Sequence, residues 1–286
     1  LLHTSNLYNV VRQQELAEAL RDASGMDNVF FANSGAEGNE AAIKLARMHG
    51  HKRGIEVPHV VVMEQAFHGR TLATLTASGN RKIQAGFEPL VRGFTRAPYG
   101  DLEALENIAR NNSSVAAVLL EPLQGEGGLN PLPAGFLGKL RELCDRYDWL
   151  LMLDEVQTGN GRTGKYFCFQ HEDVIPEVLV TAKGLGNGLP IGACLAHGKA
   201  ASLFQPGAHG STFGGNPLAC AAGLVVVNTL NTPEMLAQIA ETGDYLQNGL
   251  RERLAGAEHV KEVRGRGLMI GVELDRPCGG LVAQAL

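Results

Sequence analysis

The chain lacks most of the short signatures that assign a protein quickly. Its 286 residues include only five cysteines, Cys144, Cys168, Cys194, Cys220 and Cys278, an odd number at wide spacing. No C-x-x-C pair occurs, so neither a zinc ribbon nor a disulfide framework is indicated, and reduced thiols in the cytoplasm are expected. Neither H-E-x-x-H nor G-x-S-x-G is present, which leaves zinc-protease and serine-hydrolase readings without support; no metal is expected. Lys and Arg never form a dense run and the formal net charge is −5, against a nucleic-acid surface. The longest apolar stretches, such as Val115–Leu120, are far too short to span a bilayer, so no membrane partner is expected. The sequence shows no internal repeat or low-complexity tract, and no signal peptide is expected within it.

What is present is ordinary globular material. A 44% hydrophobic and 19% charged composition can bury a substantial core and suits one large domain or two. Short, wholly apolar runs recur at Val60–Met63, Val115–Leu120, Leu150–Leu153 and Val178–Val180. Continuous apolar character without alternation suits strands covered on both faces, as in a parallel sheet. Amphipathic stretches lie between them: Phe136, Leu137, Leu140, Leu143, Cys144 and Tyr147 fall on one helical face. Alternating strand and helix predicts an α/β fold, a mostly parallel central sheet with helices on both faces. Thr232-Pro233 reads as an N-cap followed by Pro at the first helical position, and Leu236, Ile239, Leu246 and Leu250 continue a stripe. Residues 1–232 are therefore read as a large domain. Residues 233–286 are read as a linking helix and the start of a second domain, with Arg264–Leu274 a glycine-rich turn and then a strand.

The candidate motifs each admit two readings. Gly159–Gly164 spells G-x-G-x-x-G after a strand, the pattern of a dinucleotide-binding turn. Five residues separate strand from glycines, Tyr166–Phe169 reads as extended where a helix is needed, and Asp154-Glu155 stand where a phosphate would approach. A flexible loop is the better reading. Asn33-Ser34-Gly35-Ala36-Glu37 lies between the apolar run Val29–Phe31 and a helix. It is either an anion cradle of backbone N–H groups or a capping box, Ser34 with Glu37. Asp154 closes one strand and Lys183 follows another. Ligands of parallel sheets sit beyond the carboxyl ends of strands, so both side chains could share a crevice, where a buried lysine loses its proton more easily. The alternative is a salt bridge or two unrelated surface residues. Phe67-His68-Gly69-Arg70 could stack an aromatic on a flat cofactor and fork Arg70 onto a carboxylate, or supply only a core Phe and a surface Arg. His68, a lone loop histidine, is not taken as a general base.

Taken together and in order, these blocks carry a family resemblance. Asn33–Glu37, Phe67–Thr71, Glu121–Gly127, Asp154–Gly159, Ala182-Lys183-Gly184 and Gly210–Pro217 resemble the class-III (ornithine-type) pyridoxal-phosphate (PLP) aminotransferases, over essentially the whole chain. Within that class, Thr158–Gly164, Leu189–Ala193 and the opening His3-Thr4-Ser5-Asn6 look most like the branch acting on N-acetylornithine. The resemblance implies PLP fold type I, the aspartate-aminotransferase-like architecture, and a set of roles. Lys183 would be the Schiff-base lysine and proton shuttle. Asp154 would keep the pyridine nitrogen protonated, Gln157 would lie near the ring hydroxyl, and Phe67 would stack on the ring. Gly35 and Ala36 would hold the phosphate, and Thr212 would reach the phosphate of a neighbouring subunit, which implies a homodimer with the active site at its interface. Arg70 would bind the substrate α-carboxylate. Glu126 resembles a switch glutamate that masks a second arginine.

The expected reaction moves a terminal amino group from N-acetylornithine to 2-oxoglutarate, a step of arginine biosynthesis. Succinylornithine, ornithine and 4-aminobutyrate are alternative donors. An NAD-dependent oxidoreductase built on Gly159–Gly164, or an inactive piece of the enzyme, are rivals of another kind. Two departures stand out. The second arginine and the N-terminal segment of the family are not found between Leu1 and Leu286, so a fragment cut at both ends is expected. Gly38 also replaces the usual alanine, at a cost of roughly 0.5–1 kcal/mol inside a helix.

Overall fold

The computed structural model describes residues 1–5 and 7–285, with nothing stated for the side chain of Ala285. Asn6, in the opening block, and Leu286 lie outside the described residues. In chain order the first half runs α1 (Val11–Ser24), β1 (Asn28–Ala32), α2 (Gly35–Lys52), β2 (His59–Met63), α3 (Leu72–Ala77) and α4 (Arg81–Gln84). Then come β3 (Phe94–Ala97), α5 (Leu102–Asn111), β4 (Val115–Leu120), α6 (Phe136–Tyr147) and β5 (Leu150–Asp154). The second half adds β6 (Val178–Thr181), β7 (Gly192–Ala196), α7 (Pro217–Leu230), α8 (Pro233–Arg253), β8 (Val260–Arg266), β9 (Met269–Leu274) and α9 (Gly279–Ala285).

The first seven strands form one sheet in the order β1-β7-β6-β5-β4-β2-β3. The pairs β2/β3, β2/β4, β4/β5 and β5/β6 are parallel, whereas β7 runs antiparallel to both β6 and β1. Each apolar run read from the sequence is a strand here, and β4, β5, β6 and β7 are buried at every position. Burial on both faces is what removes the alternation. One layer of the core gathers Leu16, Leu20, Leu140, Leu143, Leu151 and Leu153, and the opposite layer gathers Ala41, Ala42, Leu45, Met152 and Val180. Helices thus cover both faces, the three-layer arrangement expected for the mixed pattern.

Gly38 on α2 has a packing reason. A Cβ there would lie 2.7 Å from Val180 Cγ1, so the glycine lets the helix settle closely on β6 and its loss of helix propensity is offset by that approach.

Thr232 caps α8 as the sequence predicts, accepting a hydrogen bond from the Met235 N–H at 3.3 Å, with Pro233 in the first turn. The stripe itself needs correction. Leu246 is 44% exposed, and the buried positions of the helix are Gly243 and Gln247, because Gly243 admits the backbone of Gly267. Arg264–Leu274 is also corrected: Arg264 to Arg266 already belong to a strand, and β8 pairs antiparallel with β9 across a short turn at Gly267-Leu268.

Gly159–Gly164 is not a loose loop. Most of the segment is buried. Asn160 Nδ2 donates to Thr181 Oγ1 and to the Ala182 carbonyl, both at 3.2 Å, and the Gly161 N–H donates to the Tyr166 carbonyl. The glycines allow close approach, Gly164 meeting Ala240 of α8. Beyond Phe167, Cys168–His171 is a short 3₁₀ turn where extended chain was expected, drawn in because the Glu155 carboxylate accepts from the Cys168 and Phe169 N–H groups at 2.6 and 2.8 Å.

Candidate active site

The parallel strands deliver their carboxyl ends to one edge of the sheet, and the segments that follow β1, β2, β4, β5 and β6 converge there. They enclose a pocket of about 480 Å³ whose lining includes Ser34, Gly35, Ala36, Phe67, His68, Arg70, Glu121, Asp154, Gln157 and Lys183. Asp154 is the last residue of β5, in register with Val180 of the neighbouring parallel strand β6. Lys183 follows that strand two residues after its end, with a positive φ of 46°. A left-handed backbone is unusual for a lysine, and such strain clusters at functional sites.

The two groups do not pair with each other. Lys183 Nζ donates to Gln157 Oε1 at 2.8 Å. Asp154 Oδ2 lies 2.7 Å from His68 Nδ1 and accepts from Asn39 Nδ2 at 2.8 Å, while Oδ1 accepts from the Val156 N–H at 3.0 Å. The carboxylate is 3% exposed and the His68 side chain is fully buried. The lysine, expected to be buried, is exposed in this chain, because the 3₁₀ turn that begins at Lys183 places it at the open side of the pocket.

At the other end stands the start of α2. Ser34 Oγ accepts from the Glu37 N–H at 3.2 Å, the cap half of the expected box. The reciprocal half differs: Glu37 Oε2 accepts from the N–H of Asn33, one residue before the cap, at 2.9 Å. Gly35 and Ala36 thus occupy the first turn of an eighteen-residue helix, where N–H groups have no carbonyl four residues back and the helix dipole favours an anion. Phe67 forms part of the wall, with the Arg70 guanidinium carbon 5.7 Å from its ring centroid. Val156 faces Gly35 so closely that a Cβ on Gly35 would lie 2.7 Å from Val156 Cγ2.

Two residues named from the sequence stand outside this lining. Glu126 is exposed on the loop after β4. Thr212 is exposed and borders a different cavity of about 490 Å³, together with His3, Tyr8, Gln13 and Asn216. Three residues given no role by sequence reasoning belong to the site: His68, Asn39 and Glu121. Asn39 sits one helical turn after Gly35, a polar residue on an otherwise alanine-rich face, which is the signal that could have found it. Burial pushes the Glu121 carboxyl up to about 7, with the Asp154 charge acting in the same direction and His68 and the N–H groups of Gly125 and Phe67 opposing it. Among the described residues, no group of His, Cys, Asp and Glu could hold a metal ion, and no helix is long and apolar enough to cross a membrane.

Comparison with known proteins gives the family of the chain. The family model "Aminotransferase class-III" matches residues 1–283. The chain is 55% identical, over its full length, to an acetylornithine aminotransferase of Nitrosomonas europaea, and spans 73% of that relative. Its fold matches the N-acetylornithine aminotransferase of Stenotrophomonas maltophilia K279a at a TM-score of 0.82 and 38% identity, covering 99% of this chain and 70% of that one. It also matches an ornithine aminotransferase of Toxoplasma gondii, described with partial occupancy of PLP at its active site, at a TM-score of 0.91 and 34% identity. That match covers 96% of this chain but 65% of the other, so the chain spans somewhat less than two thirds of that solved structure. With the carboxylate, the amine and the helix terminus gathered in one pocket, and a family match over nearly every residue, the chain belongs to the class-III aminotransferases.

Proposed function

We propose that the protein carrying this chain is a PLP-dependent aminotransferase that moves the terminal amino group of N-acetylornithine to 2-oxoglutarate, giving N-acetylglutamate semialdehyde and glutamate in arginine biosynthesis. One observation carries the reading: Asp154, Lys183, Phe67 and the start of α2 line a single pocket. These residues fit the cofactor. A buried carboxylate with Oδ1 held only by the Val156 N–H suits a cationic ring nitrogen. The N–H groups of Gly35 and Ala36 suit a phosphate, and Phe67 and Val156 supply apolar surfaces for a flat ring.

When bound, PLP supplies an electron sink at the carbon that bears the amine. The chain supplies position and charge. Lys183 would hold the cofactor's aldehyde carbon and afterwards carry a proton as general acid and base. Gln157 already holds that amine and would reach the ring hydroxyl. His68 and Asn39 fix the Asp154 carboxylate, so its charge needs no reorganisation when the ring charge must be balanced. Arg70 would fork onto the substrate carboxylate. Glu126, on its exposed loop, would act as the switch for a second arginine, and Thr212 of a second copy would complete the phosphate site of a homodimer. The distinct cavity bordered by Thr212 accords with service to a neighbour. Residues 1–232 would form the cofactor domain and 233–286 the entry to a smaller one, in keeping with the separate β8/β9 sheet. Five free cysteines accord with a cytoplasmic setting.

The donor assignment rests on the names of relatives at about half identity, the Nitrosomonas europaea protein among them. The dinucleotide alternative loses ground, since the Gly159–Gly164 turn is packed against Ala240 and opens no α-helix. The test is a Lys183→Ala variant of the PLP-loaded protein: the visible band of the lysine-bound cofactor and turnover are expected to vanish. An unchanged spectrum overturns the lysine assignment, bound NAD in the purified protein overturns the cofactor, and a clear preference for 4-aminobutyrate overturns the donor.

A further inference from the structure

Glu121 stands at the end of β4, buried to all but 6% of its surface, and faces the pocket. Its two carboxylate oxygens go to different loops. Oε2 accepts from the Phe67 N–H at 3.1 Å, and Oε1 accepts from the Gly125 N–H at 3.2 Å. The first loop carries Phe67 and Arg70; the second carries Gly125 and Glu126. Gly125 is also seated on Gln157: a Cβ there would lie 2.3 Å from Gln157 Oε1, the same oxygen that accepts from Lys183. A chain of contacts therefore runs from the aromatic wall, through one carboxylate, to the partner of the lysine. Gln124 Nε2, donating to the Glu64 carbonyl at 2.8 Å, joins the same loops outside the pocket lining.

We propose that Glu121 is a positioning residue: its carboxylate clasps the Phe67–Arg70 loop to the Gly125–Glu126 loop, and so sets Phe67 and Gln157 at a fixed separation across the pocket. Each Glu121 oxygen accepts from the backbone of a different loop, so the carboxylate's orientation is tied to both. Two acceptor oxygens are required. A glutamine keeps the shape but turns one arm into a donor facing an N–H, and aspartate is one methylene too short to reach both. The role of these loops in transamination rests on the function proposed above, whereas the clasp is a property of the chain.

The experiment is amide hydrogen exchange, read by mass spectrometry, on the full-length protein and its Glu121→Gln variant, each with and without PLP. Residues 66–70 and 124–127 are expected to exchange together about tenfold faster in the variant, as opening of one coupled unit requires. In the PLP-loaded variant, the KM of the amino donor is expected to rise while the visible circular dichroism of the cofactor falls. Equal protection in variant and parent, or loosening of one segment alone, overturns the clasp. Failure of the unsubstituted protein to bind PLP, while the two segments loosen together in the variant, overturns the function and leaves the clasp standing. Should the variant fail to fold, the unsubstituted protein serves. Protonation of Glu121, whose facing titratable groups are His68, Asp154 and Tyr99, turns one acceptor into a donor. Both segments must then open together as the pH falls from about 8 to about 6, once the intrinsic pH dependence of exchange is removed. Unchanged protection over that range overturns the proposal.

Discussion

Asp154 Oδ2 and His68 Nδ1 lie 2.7 Å apart at the floor of the pocket, the carboxylate 3% exposed and the imidazole fully buried. The pair decides how the carboxylate can act. Asn39 and His68 on Oδ2 and the Val156 N–H on Oδ1 hold its orientation, with the carboxylate lining the same pocket as Lys183. Asp154→Asn keeps the shape and removes the charge. Turnover is expected to fall by about 10²–10³, corresponding to roughly 3–4 kcal/mol of lost charge stabilisation. Steady-state kinetics checks this, with far-ultraviolet circular dichroism unchanged.

Gly35 should tolerate no side chain. Alanine would set its Cβ 2.7 Å from Val156 Cγ2, and such overpacking costs typically about 1–3 kcal/mol. Because the same turn offers its N–H groups to an anion, Gly35→Ala is expected to weaken PLP binding about tenfold or more, at roughly 1.4 kcal/mol per decade. Titration of the apoprotein with PLP measures it.

His171 should make the protein acid-sensitive. Burial is the main cause lowering its imidazole to about 4, with Arg266 acting in the same direction. Its Nε2 lies 3.1 Å from the Thr163 carbonyl, which a neutral ring can serve as donor. The unfolded chain takes up this proton near 6.5 and the folded one only near 4. Stability is therefore full above 6.5 and is lost as the pH falls through that window. The linkage ceiling of about 3 kcal/mol, reduced for a half-buried group, leaves about 1–2 kcal/mol. Denaturant melts at several pH values should show this slope, and His171→Gln should flatten it.

The cap of α8 is a simpler test. Thr232 Oγ1 accepts from the Met235 N–H, so Thr232→Ala is expected to cost about 1 kcal/mol. A thermal melt should shift accordingly while the visible spectrum of the PLP-loaded protein stays unchanged.

Much of this architecture could be read from residue order because burial on both faces leaves a plain mark. Val115–Leu120 and Leu150–Leu153 had nothing polar to hide, and Asp154 and Lys183 stood out at the ends of apolar runs. The reversal of β7 could not be read, since Gly192–Ala196 is apolar whichever way it runs. His68 was passed over because a loop histidine carries no periodicity; only the fold brings it, from 86 positions away, onto Asp154. The Gly159–Gly164 turn misled for a related reason. Glycine spacing signals freedom locally, while the partners that remove it, Thr181, Ala182 and Ala240, lie at least 20 residues distant.

One amine of this chain, Lys183, is proposed to hold the aldehyde cofactor. Borohydride reduction of the PLP-loaded protein, followed by peptide mapping, identifies that amine. A single pyridoxyl-labelled peptide is expected, with the label on Lys183. Label on another lysine, or none at all in protein that demonstrably binds PLP, would contradict it.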